Sequence, residues 1–170
     1  MGNTENGKLR TLAEMETIGA ELKKNGKVLV FANGCFDLLH VGHVRYLKAA
    51  RALGDALVVA VNSDRSARRL KGPGRPFTPQ DERLEILAAL ECVDHLLLFD
   101  EATVAELLLR LKPHIHAKGA DYTEETVPER EVVLSYGGRI AITGDLKTRS
   151  SSEIGSRLKL FLDAEENRVD

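Results

Sequence analysis

Residues 28–51 read VLVFANGCFDLLHVGHVRYLKAAR, and their reading decides the fold. Val28-Leu29-Val30-Phe31 is a short apolar run with the length and composition of a buried parallel strand. Asn33-Gly34 breaks it, and from about Val41 the spacing turns helical, with Val44, Leu47 and Lys48 three and four residues apart. The stretch is a strand, a glycine turn and a helix. Such a turn aims the first N–H groups of the helix, and the positive end of its dipole, at whatever sits above the strand. Phosphate is the usual guest.

His40 and His43 stand at that helix start, spaced to share one helix face, with Gly42 between them leaving no side chain in a ligand's way. Two imidazoles there can donate hydrogen bonds to phosphate oxygens and stabilise developing charge. They can equally be ordinary helix-start histidines that cap the turn. Asp37 just upstream, with the strand and the turn, favours the phosphate role.

The rest of the chain repeats the pattern. Further apolar runs at about 56–61, 95–99, 114–118 and 139–143 alternate with helical segments, which predicts five parallel strands joined by right-handed crossovers, with helices on both sheet faces. In such an α/β sheet the ligand lies over the carboxyl ends of the strands. Each predicted strand runs into a polar string: Asn62-Ser63-Asp64, then Lys118-Gly119-Ala120-Asp121, then Gly144-Asp145 leading to Ser150, Ser151 and Ser152. One of the serines is expected to cap a helix start, and the other two hydroxyls, with the unpaired N–H groups there, to form a second phosphate cradle. SARRLKGPGRP, with Arg68, Arg69, Lys71 and Arg75, is expected to be a mobile basic loop that closes over a triphosphate. Arg83, on the helix begun by Thr78 and Pro79, is expected to be a surface ion-pair partner. His114 and His116 share a strand face, but no Cys, Asp or Glu nearby completes a metal set.

Composition narrows the class. The 170 residues are 43% hydrophobic and 29% charged, enough for one globular domain with a real core. A formal charge of −2 offers no general attraction for nucleic acid or membranes. Cys35 and Cys92 are too few and too far apart for a zinc site or a disulfide framework. With no signal peptide and no spanning apolar run expected, the predicted location is the cytoplasm. No GK[ST] phosphate loop and no GxGxxG is present, so the phosphates are held differently.

HVGH at 40–43 resembles the HxGH signature of the nucleotidyltransferase superfamily, and NGCFDLLHVGHVRYLKAAR resembles its cytidylyltransferase-like branch. The serines with Ile154 are similar to that family's second signature. NSDRSARRLKGPGRP and KGADY resemble the heptose-1-phosphate adenylyltransferases, found alone or fused to a kinase. The resemblance covers about residues 27–155 and divides the chain into an N-terminal helical extension (1–26), a Rossmann-like nucleotidyltransferase domain (27–163) and a loose tail (164–170). One departure is Asp145, with Lys147 and Arg149 later, where the cytidylyl enzymes carry an arginine.

The resemblance implies transfer of AMP from ATP, with Mg²⁺, to D-glycero-β-D-manno-heptose 1-phosphate, giving ADP-heptose and pyrophosphate. It implies His40, His43 and Lys71 as catalytic groups. Asn33, Gly34, Phe36, Gly42, Arg75, Lys118 and the three serines would then hold the nucleotide. Asp37, Asp64, Arg69 and Asp121 would hold the sugar phosphate, Asp37 or the triphosphate alone carrying Mg²⁺. A homodimer and a separate heptose kinase upstream are implied as well. Two other readings stay open: a glycerol-3-phosphate-type cytidylyltransferase using CTP, and a sensor module that binds a nucleotide without reacting it.

Overall fold

The structure, a computed structural model, describes residues 7–144, 154–156 and 160. The expectations for residues 1–6, for Asp145, Lys147, Arg149 and Ser150–Ser152 and for the tail lie outside the described residues.

Five strands form one sheet: β1 (Leu29–Gly34), β2 (Ala56–Asn62), β3 (His95–Phe99), β4 (Ile115–Gly119) and β5 (Arg139–Thr143). All pairings are parallel and the order is β3-β2-β1-β4-β5. The chain therefore winds outward from β1 in one direction, then crosses back to start again on its other side. The switch of direction opens a crevice between the carboxyl ends of β1 and β4, the place where open parallel sheets take ligands.

Strand alternation sorts the core into two layers. Leu29, Phe31, Val58 and Ala60 face α1 (Leu12–Lys24), α5 (Ala105–Leu111) and α6 (Arg130–Ser135). Val30, Ala32, Val59 and Val61 face α2 (Val41–Arg51) and α4 (Gln80–Ala88). Helix α1 belongs to the first layer, with Met15 buried, and ahead of it Leu9 forms a parallel bridge to Leu96 at the outer edge of β3. Its start is closed by a Thr11–Glu14 capping box and its end by Asn25 and Gly26.

Two element readings need correction. Most of the expected basic loop is helix: Asp64–Lys71 is α3, capped by Ser63, and only the residues from Gly72 onward form the connection to α4. Only Ser66 and Ala67 of α3 are buried, so the helix has no apolar stripe to announce it. Arg83 is not a surface residue but the largest fully buried side chain among the described residues. Smaller shifts concern helix starts. Pro79 rather than Thr78 holds the cap position of α4, and α6 begins at Arg130, behind a short 3-10 turn at Glu124–Thr126.

Candidate active site

The β1–α2 turn builds the first wall. Phe36 takes a left-handed backbone (φ 51°), which turns the chain sharply out of the strand and packs its ring edge-on to His43, 5.3 Å between centroids. His40 is the N-cap of α2, and its Nδ1 accepts the Gly42 N–H at 3.1 Å. In return the His43 Nδ1 accepts the His40 N–H at 3.3 Å. The histidines do cap the helix, as the ordinary reading of them held. Capping also fixes their tautomer: with Nδ1 accepting, the neutral ring carries its proton on Nε2. Gly42 is needed for a tighter reason than ligand access, since a Cβ there would lie 2.8 Å from the His40 ring.

Helix α2 is bolted down beneath this pair. The buried Tyr46 hydroxyl donates to the Ala117 carbonyl at 2.9 Å, tying the helix to β4. Gly144, at φ 89°, brings the end of β5 so close that a Cβ would stand 3.2 Å from the Tyr46 Cα.

The second wall is ionic. Asp37 is buried, with one carboxylate oxygen on Arg75 Nη1 at 2.6 Å and the other accepting the N–H groups of Phe77 (2.6 Å) and Thr78 (3.2 Å). Burial pushes its pKa upward, but the arginine and the two N–H groups outweigh that and hold it below the usual carboxylate range. The Arg75 guanidinium also stacks on Phe77, 3.9 Å from the ring centroid. A helical turn at 154–156 comes against the same place, since a Cβ on Gly155 would lie 3.5 Å from Arg75 Nη2.

Arg83 ties the ends of β1 and β2 together. It donates to the carbonyls of Cys35, Asn62 (2.8 Å) and Thr78 (2.9 Å) and pairs with Asp64 at 2.8 Å. Asp64 is thus engaged at the start of α3. Arg69, with Arg65, is drawn to Asp100 beyond β3. Lys71 is exposed at the end of α3, yet its charge reaches the β1–α2 turn: burial raises the Cys35 thiol pKa, and Lys71 and Arg83 pull it the other way. Cys35 and Cys92 are both free thiols.

The third wall is β4. Lys118 is nearly buried, within 3.2 Å of Asn33 Oδ1 and 3.4 Å of the Glu129 carboxylate, with the Tyr122 ring 5.1 Å away. His116, fully buried, places Nε2 3.0 Å from the same Asn33 oxygen. Asp121 lies just past the strand, against Gly119.

The structure thus brings Asn33, Gly34, Phe36, His40, Gly42, His43 and Lys118 to the carboxyl edge around the switch point, and gathers Asp37 and Arg75 beside them. Asp64 and Arg69 sit farther along, toward β3. Arg83, Tyr46, His116 and Glu129 were missed as site-building residues. Arg83 left one trace: it stands four residues before Leu87 and so on the buried face of α4. Among the described residues no three His, Cys, Asp or Glu side chains gather in a way that could hold a metal ion. No described helix is long and apolar enough to cross a membrane.

The family model described as Cytidylyltransferase-like matches residues 31–156. The bifunctional protein HldE of Syntrophotalea carbinolica is 51% identical over 150 residues, and that of Pelobacter propionicus 54% over 136. These matches cover 88% and 80% of this chain but only 29% and 28% of those proteins, so the chain spans under a third of their length. Among solved structures, a lipopolysaccharide core biosynthesis protein from Thermoplasma volcanium is 31% identical with a TM-score of 0.61, covering 72% of this chain and all of the other. A pantoate-beta-alanine ligase from Francisella tularensis shares the fold at 16% identity (TM-score 0.60), covering 85% of this chain and 68% of that one.

Proposed function

Because this chain belongs to the cytidylyltransferase-like family, we propose that it transfers AMP from ATP to D-glycero-β-D-manno-heptose 1-phosphate, giving ADP-heptose and pyrophosphate. The observation that carries the reading is the reciprocal capping of His40 and His43, which leaves the proton of each neutral ring on Nε2 at the N-terminus of α2. The substrate assignment draws on the resemblance of KGADY and RRLKGPGRP to heptose-phosphate enzymes and on the identity of about half to the HldE proteins.

A phosphate oxygen of the sugar attacks the α-phosphorus of ATP, and the bond to the bridging oxygen of pyrophosphate breaks on the opposite side. The attacking oxygen is already an anion, so no general base is needed. The work is positioning and charge stabilisation. His40 and His43 donate to phosphate oxygens as charge shifts onto them. Lys71 neutralises the departing pyrophosphate, with help from Arg75, while Arg69 is engaged by Asp100. Gly34, Phe36 and Gly42 let the backbone approach the nucleotide, and Ser150, Ser151 and Ser152 cradle its outer phosphates. Asp64 and Asp121 border the sugar phosphate.

Mg²⁺ enters with the triphosphate as part of the substrate. Asp37 does not suit a cation, because both its oxygens are taken by Arg75, Phe77 and Thr78. Its part is to fasten the 72–79 connection beside the histidines. The product belongs to surface-glycan supply in the cytoplasm. A kinase activity that makes the sugar 1-phosphate must act before this step, and the working unit is a homodimer.

Pyrophosphate release tests the reading, with ATP, CTP and GTP each offered heptose 1-phosphate or glycerol 3-phosphate in the presence of Mg²⁺. Turnover with ATP and the heptose is expected. Turnover only with CTP and the polyol phosphate would replace it by the cytidylyl reading. Stoichiometric nucleotide binding without pyrophosphate release on any acceptor would make the chain a sensor.

A further inference from the structure

The buried cluster beneath the switch-point crevice assigns its own hydrogens. Lys118 has only donors, so the Asn33 atom 3.2 Å from its Nζ is the carboxamide oxygen and not the nitrogen. The His116 nitrogen 3.0 Å from that oxygen must then donate, which places the ring proton on Nε2. His116 Nδ1 is left buried without a hydrogen-bond partner, as is Glu129 Oε2 apart from its ion pair with Lys118. An orphaned imidazole nitrogen is costly. It is tolerated here while three side chains converge on one asparagine oxygen or on the lysine that reaches it.

That convergence has one clear effect. With Oδ1 held by Lys118 and His116, the Asn33 carboxamide cannot flip, and its NH₂ is turned away from the cluster. Asn33 is partly exposed and stands next to last in β1, at the edge of the crevice. Its side chain belongs to the sheet face of Phe31 and α1, opposite the face that α2 covers, because it is two residues after Phe31. A nucleotide whose phosphates lie at α2 must cross the strand edge to meet it, so the part it meets is the nucleoside.

We propose that the Asn33 carboxamide nitrogen is a nucleoside-binding donor, reading an acceptor atom of the ribose or base, and that His116 is the positioning residue that holds it in register. This deepens the adenylyltransferase reading and rests on it. Lys118 then serves the nucleotide through Asn33 and Glu129.

The test is calorimetric binding of ATP, and separately of tripolyphosphate, to the full chain and to variants. Asn33→Asp keeps an oxygen for Lys118 and His116 but removes the donor. It is expected to fold with an unchanged melting temperature, to weaken ATP roughly tenfold and to leave tripolyphosphate within about threefold. His116→Phe is expected to weaken ATP about threefold, and His116→Gln, which restores a donor near the Nε2 position, to recover most of that loss. The ¹⁵N resonances of His116 supply a signature independent of binding, with Nε2 protonated and Nδ1 bare. A wild-type chain that bound no ATP would overturn the function reading and this inference together. Undiminished ATP binding by N33D would overturn the inference alone, as would an equal loss of tripolyphosphate, or a His116 ring protonated on Nδ1.

Discussion

The His43 ring accepts the backbone N–H of His40, the very residue whose own ring accepts the N–H of Gly42, with 4.0 Å between the two ring centroids. Each histidine is thereby a helix cap on its Nδ1 side and a proton donor on its Nε2 side. The two functions separate on substitution. His43→Asn keeps an acceptor for the cap and loses the distal donor. Its melting temperature should stay within about 4 °C of wild type, while kcat falls on the order of 10²–10³. Near-normal turnover by a folded H43N would remove the histidine from the mechanism.

Gly42→Ala tests the cap from the other side. The new methyl would sit 2.9 Å from the His40 Nδ1, forcing the ring out of its hydrogen bond. A fall of about tenfold or more in kcat is expected, with little change in the KM for the sugar phosphate. Equal kcat in G42A and wild type would show that the His40 orientation does not matter.

Arg83 and Asp64 should respond unequally. The arginine is fully buried with four partners, whereas more than a third of the Asp64 side chain is exposed and water can replace its half of the pair. Arg83→Met leaves three carbonyls without their donor and should cost about 3 kcal/mol or more in urea unfolding. Asp64→Asn should cost about 1 kcal/mol or less. Similar losses from both would mean that the ion pair, and not the carbonyl contacts, holds the strand ends.

His116 gives the fold a pH dependence of known sign. Burial, and behind it the charge of Lys118, lowers its pKa from 6.5 to about 3. As pH falls below 6.5 the unfolded chain takes up the proton first, so this contribution is complete above 6.5 and is lost progressively toward 3. Between pH 7 and pH 5 it amounts to about 2 kcal/mol. Urea unfolding at both pH values should show wild type losing that much more stability than His116→Gln. An identical pH response in the two proteins would place the titration elsewhere.

The alternation of strands and helices and the β1–α2 turn were legible because their signals are local, as in the apolar run, glycine break and helical spacing that follow one another within 24 residues; the order of the strands in the sheet has no such local signal. What was not legible is what depends on distant partners. Asn33 and His116 are 83 positions apart, and nothing in either neighbourhood says that they meet. Arg83 binds carbonyls, which carry no side-chain code. Helix α3 escaped because it lies on the surface with four cations and almost nothing buried, next to a Gly-Pro-Gly that reads as loop. Asp37 and Arg75 were placed near a ligand, and the structure shows that they are first of all near each other.

The most direct test of the chemistry is the stereochemical course at the α-phosphorus, followed with one diastereomer of α-thio-ATP and heptose 1-phosphate. Direct in-line attack, with the histidines donating hydrogen bonds and never bonding to phosphorus, predicts inversion of configuration. Retention would require two displacements through a covalent intermediate and would contradict the account.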